Sequence, residues 1–167
     1  ELPHSLHLAD MNNDGRDEWI TFSGREVYIA ETNFQTHGIA YTRIGSDIKR
    51  AFTGRFTTSH RERVCFITRS DRINCYGLTQ KNNEIKLMWS NQNFVGQHED
   101  AIVGEFTGDG RDDVLVYAPR TGTFKLWEWD RRRKSFVQLR ERNFTLGDLN
   151  SARQMQNMQI RVGNFTQ

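Results

Sequence analysis

Apolar residues along this chain come in short runs of four or five, alternating with polar positions and broken by Gly, Ser and Asp. Residues 19–22 are followed by a Ser23-Gly24-Arg25 turn and a second run over 27–29. Residues 64–67 lead through a turn around Ser70-Asp71 to 73–78, and residues 114–118 lead through Pro119-Arg120-Thr121-Gly122 to 124–129. Alternating runs bounded by turn formers predict β-hairpins. A third run follows each hairpin, at 39–44, 85–89 and 136–139. Another precedes each polar loop, at 48–56, 101–106 and 160–165. Helical periodicity is slight: residues 149–156 would form a turn or two of helix, within an insertion over 147–156 that lengthens the third unit.

The pattern repeats. Residues 8–20, 53–65 and 103–115 align, and a fourth copy begins at 162–166 and is cut off. The first loop positions are 10, 55, 105 and 164, spaced by 45, 50 and 59 residues. Four antiparallel strands in a unit of this size predict a propeller blade. The fold class expected is therefore all-β, a β-propeller segment of about three four-stranded blades plus the start of a fourth. The blades would cover approximately 5–47, 48–98 and 99–157, with the next starting over 158–167. Closed propellers use about four to eight blades. The expectation is thus part of a longer chain, or several copies completing one ring, and Glu1 in place of Met suits a processed protein or a piece of a larger one.

The loops carry the chemistry. The first holds Asp10, Asn12, Asp14, Gly15 and Glu18. Oxygen-bearing side chains at positions 1, 3 and 5, Gly at 6 for the sharp turn and a carboxylate further on are what a hard cation such as calcium (Ca2+) requires. An EF-hand would have an apolar residue at position 8 and Glu at 12, where this chain has Asp17 and Thr21, and a strand follows in place of a helix. The third loop keeps the logic with Glu105, Thr107, Asp109, Gly110 and Asp113, Thr being the weaker ligand. The second has lost it: Arg55, His60 and Arg63 put positive charge where the cation would sit, beside Thr57 and Ser59.

Residues 104–119, and similarly 10–20, resemble an FG-GAP (VCBS-type) repeat, the blade motif of integrin α-subunit propellers and of many secreted adhesins, toxins and lectins. The likeness covers blades one and three well and blade two in outline. It implies calcium loops joining the first two strands of a blade, with the Arg16 carbonyl added to Asp10, Asn12, Asp14 and Glu18. In the third loop Arg111 stands at the matching position. The motif speaks for fold and says little about function.

Composition narrows the classes. With 26% charged and 11% aromatic residues and a net charge of only +2, the chain lacks the signature of disorder, and a packed core is expected. No run approaches the roughly 18 apolar residues of a membrane helix, so no membrane insertion is expected. No nucleic-acid partner is expected either, because the one basic cluster, residues 131–134, reads as a solvated hairpin turn. Cys65 and Cys75 flank the second hairpin turn, and strand pairing centred on Ser70 would set them opposite each other. A bridge there would contribute roughly 3 kcal/mol and suits an oxidising compartment. Asn143 and Asn164 open N-x-Thr sequons, candidate glycosylation sites, with Asn143 expected in a polar loop. Trp127 and Trp129 share one strand face and are expected to pack between blades rather than stack on a sugar. His4, His7, His37, His60 and His98 show no ligand spacing, and no G-x-S-x-G, P-loop or H-E-x-x-H is present.

The function expected is an extracellular, secreted, calcium-binding module for adhesion, protein–protein contact or structural assembly, not an enzyme. Its partners would be a protein or glycan ligand, or further copies of itself. Two alternatives are a lectin of the same fold and the non-catalytic propeller of a larger toxin or hydrolase.

Overall fold

A computed structural model describes residues 6–30, 39–58, 60–79, 84–92, 94–96 and 98–143. Among the described residues twelve strands form three four-stranded antiparallel sheets, each a meander in chain order. The first sheet holds β1 (Leu6–Ala9), β2 (Glu18–Ser23), β3 (Glu26–Ala30) and β4 (Ile39–Arg43). The second holds β5 (Ile48–Thr58), β6 (Arg61–Thr68), β7 (Arg72–Leu78) and β8 (Ile85–Gln92). The third holds β9 (Asp100–Gly104), β10 (Asp113–Ala118), β11 (Thr123–Asp130) and β12 (Ser135–Asn143). The described chain is all-β, and its sheets are the blades of a partial β-propeller.

Alternation sets the faces. Along β2, Glu18, Ile20 and Phe22 are buried while Trp19 is exposed, the period-2 outcome of a half-solvated strand. The central strands β6 and β7 are buried on both faces from Val64 to Thr68 and from Ile73 to Leu78. The described residues divide into two compact units that meet at Phe94 and Val95 in sequence. In the first unit, Ile20, Phe22, Val27 and Ile29 of one sheet share a core with Val64, Phe66, Tyr76 and Leu78 of the next. The Phe22 and Phe66 rings meet edge to face, 5.7 Å apart. In the second unit Val114 and Val116 are fully buried, and Trp129 stacks edge to face on Phe136, its register partner in the same sheet, at 5.4 Å.

Cys65 and Cys75 are register partners on β6 and β7 with Cα atoms 4.0 Å apart, and they form a disulfide. Such bridges form in oxidising compartments. Residues 131–134 form an exposed turn, where Asp130 Oδ1 accepts the Arg132 and Arg133 N–H groups at 2.8 and 3.0 Å. Asn143 is the last residue of β12, paired with Thr123, rather than part of a loop. The reason is that β12 runs on beyond the apolar positions to match the full length of β11. Asn164, the insertion over 147–156, the opening of a fourth unit, His4 and His37 lie outside the described residues.

Candidate functional site

The loop between β1 and β2 is built from successive side-chain acceptors. Asp10 Oδ1 and Asn12 Oδ1 both accept the Asp14 N–H, at 3.1 and 2.8 Å, Asp10 Oδ2 accepts the Gly15 N–H at 3.0 Å, and Asp14 Oδ1 accepts the Arg16 N–H at 2.9 Å. Short polar side chains capture backbone donors in this way wherever no ladder competes. Asn13 and Gly15 take positive φ, 63° and 85°, so the chain doubles back around the oxygens.

Glu18 closes the loop from below. It is only 2% exposed, and its Oε2 accepts the Met11 N–H at 2.7 Å. Burial pushes its carboxyl up to about 7, against the pull of the Met11 N–H, and the nearby Asp14 and Asp10 charges push the same way. The side chains of Asp10, Asn12 and Asp14 are thus brought together at the rim, with Glu18 beneath them. Among the described residues, however, no three His, Cys, Asp or Glu side chains converge on one point. The loop oxygens are engaged with N–H groups.

The loop between β9 and β10 repeats two of these bonds at matching positions. Asp113 Oδ2 accepts the Phe106 N–H at 2.9 Å, as Glu18 does from Met11. Asp109 Oδ1 accepts the Arg111 N–H at 2.9 Å, as Asp14 does from Arg16. Positive φ recurs at Gly108 and Gly110, 82° and 76°, at the positions of Asn13 and Gly15. Glu105 Oε1 accepts the Gly108 N–H. Burial raises the Asp113 carboxyl, and its Oδ1 is buried with no hydrogen bond; the Thr107 hydroxyl lies beside it without completing one.

The two loops part at position 7. Arg16 is exposed, whereas the Arg111 guanidinium turns inward, pairs with Asp109, lies 3.3 Å from Glu128 Oε1 and donates to the Trp129 carbonyl at 2.9 Å. The third loop therefore carries a cation of its own.

Among the described residues no comparable loop lies between β5 and β6. The two strands pair again at Thr58 and Arg61, which leaves a tight connection in place of a cradle. Arg63 is buried there against Gly77, with its Nη1 donating to the Glu62 carbonyl at 2.8 Å. Burial holds Arg63 down at about 10. Glu62, which the motif does not mark, reaches the first loop: its Oε2 accepts the Asp10 N–H at 2.9 Å. Nor does the motif mark the inward turn of Arg111, although Glu128 two strands away is the complementary charge that draws it.

No family model matches the chain, and no curated protein matches it in sequence. Solved structures do match in fold. Among them is a periplasmic gluconolactonase of Pseudomonas aeruginosa, with TM-score 0.53 and 11% identity, over 84% of this chain and 39% of that one. The chain thus spans about two-fifths of that protein's length. The shared feature is the β-propeller fold, not the FG-GAP family in particular. One expectation is overturned: the chain was read as no enzyme, yet a propeller of this fold is named for a lactonase activity, so the fold gives no ground for that exclusion.

Proposed function

We propose that the chain is an extracellular β-propeller module whose first loop binds calcium and whose blades serve adhesion, protein–protein contact or structural assembly. The observation that carries the reading is Glu18: a carboxylate almost fully buried beneath Asp10 and Asp14, tied to the loop by the Met11 N–H. Such a group calls for a positive charge nearby. Asp10, Asn12, Asp14, Glu18 and the Arg16 carbonyl would hold the ion, an all-oxygen set of the kind hard cations take. Bound calcium supplies the charge that relieves repulsion among these oxygens. The Cys65–Cys75 bridge supports a secreted setting. The third loop is the weaker candidate, since Arg111 already answers the charge of Asp109.

The test is calcium titration followed by thermal melting with and without chelator. Calcium at 100 times its Kd is expected to stabilise the fold by about 2.7 kcal/mol. The gain should vanish in Asp14→Ala. Unchanged melting and self-association after chelation would overturn the reading.

A further inference from the structure

The ninth position of the repeat is buried in all three sheets, but its charge changes sign in the second. Glu18 and Asp113 stand there as carboxylates in the first and third, whereas the second has the Arg63 guanidinium, only 7% exposed. Glycines make room for it: Gly54 is its register partner on β5, and a Cβ at Gly77 on β7 would lie 3.1 Å from its Nε. Among the described residues no carboxylate pairs with it, and the neighbouring charge that acts on it, Arg61, is also positive. Glu62 points to the opposite face of β6, where its carboxylate accepts the Asp10 N–H.

Two buried polar atoms of this end of the sheet are left without partners. Arg63 Nη1 donates to the Glu62 carbonyl at 2.8 Å, but Arg63 Nε has no acceptor. Thr57 Oγ1, at the third position of the repeat, has no partner either. The ladder between β5 and β6 passes from the Gly54–Arg63 pair directly to the Thr58–Arg61 pair, so Thr57 lies in a bulge at the same end of the sheet as Arg63. The corresponding Thr107 hydroxyl of the third sheet lies beside its own ninth position. A buried cation with an open donor calls for a negative charge, just as buried Glu18 calls for a positive one. A guanidinium N–H and a hydroxyl are donors that oxyanions accept from, and the second cation, Arg61, suits an anion of charge two.

We infer that the Thr57–Arg63 bulge is a binding site for a divalent oxyanion of the sulfate or phosphate class, held by Arg63 Nε and the Thr57 hydroxyl and drawn in by Arg61. It is the charge-inverted counterpart of the first loop and uses none of that loop's ligands, so it does not depend on the calcium reading.

The experiment is isothermal titration of the disulfide-bonded chain at pH 8, in chelator, with sulfate, phosphate, methyl phosphate and acetate at matched ionic strength. Arg63→Met and Thr57→Val are the variants. Thr57→Val removes a hydroxyl that no protein group uses, so it should melt like the parent, and it decides the matter if Arg63→Met does not fold. Saturable sulfate and phosphate binding is expected, weakened at least tenfold in each folded variant, with acetate not saturating. Methyl phosphate binding like phosphate supports an ester group on a larger ligand as the source of the oxyanion, and its exclusion supports the free ion. No saturable sulfate or phosphate binding, a folded variant that binds like the parent, or acetate binding as tightly as sulfate would each overturn the assignment.

Discussion

Glu62 holds Asp10 by both of its backbone polar groups: the carboxylate accepts the Asp10 N–H at 2.9 Å, and the Glu62 N–H is donated to the Asp10 carbonyl at 3.1 Å. The first loop is thus anchored from the second sheet, 52 residues away in sequence. Glu62→Ala strips a partly buried N–H of its acceptor, which costs about 1–3 kcal/mol. Urea denaturation should show a lower midpoint at constant slope, and Glu62→Gln, which keeps an acceptor oxygen, should lose less. Equal midpoints for Glu62→Ala and the parent would show that the clasp contributes nothing.

Arg111 and Arg16 occupy the same loop position but should respond oppositely to substitution. The Arg111 side chain is 10% exposed and faces Asp109 and Glu128. Arg111→Met leaves those partly exposed carboxylates without their counter-charge, and losing such charge-assisted hydrogen bonds costs about 1–3 kcal/mol. Arg16→Met, on an exposed side chain, should stay within about 0.5 kcal/mol. Calcium should stabilise Arg111→Met more than the parent, because Asp109 is released. Similar losses in the two variants would show that the inward guanidinium does not support the loop.

The three meanders were legible because their apolar runs are short and regularly interrupted, and the turn at Gly24 lies where its positive φ of 57° is needed. The register that sets Cys65 opposite Cys75 follows from a turn centred on Ser70. The long-range pairings were not legible. Glu62 is one of 21 acidic residues, and nothing local marks it as a partner of Asp10. Arg111 reads as a surface residue in a polar loop, since Glu128 that draws it inward lies 17 positions on.

The disulfide should be a main stabiliser of the second sheet. It joins residues ten apart in sequence, a loop length for which denatured-state entropy gives roughly 3 kcal/mol. Cys65→Ala combined with Cys75→Ala should lower stability by about 2–4 kcal/mol, and reductant should then have no further effect. The intact chain should fall to a similar level once reduced. If the parent's denaturation midpoint ignores reductant, the bridge contributes no stability.

Glu18 sets the pH dependence of the calcium-free chain. Its carboxyl titrates at about 7 in the folded protein, chiefly because of burial, against an ordinary value of 4.5. The folded state therefore holds this proton more tightly than the unfolded state. The stability it contributes is fully present below about 4.5 and is lost as pH rises through about 7. Asp113, also raised by burial, acts with the same sign. In chelator, urea midpoints should therefore fall between pH 5 and pH 8, and Glu18→Gln, which cannot ionise, should remove part of that slope. Calcium should restore most stability at pH 8 and least at pH 5, because only the ionised carboxylate binds it. A Glu18→Gln profile parallel to the parent's would show that this carboxyl stays ionised in the fold.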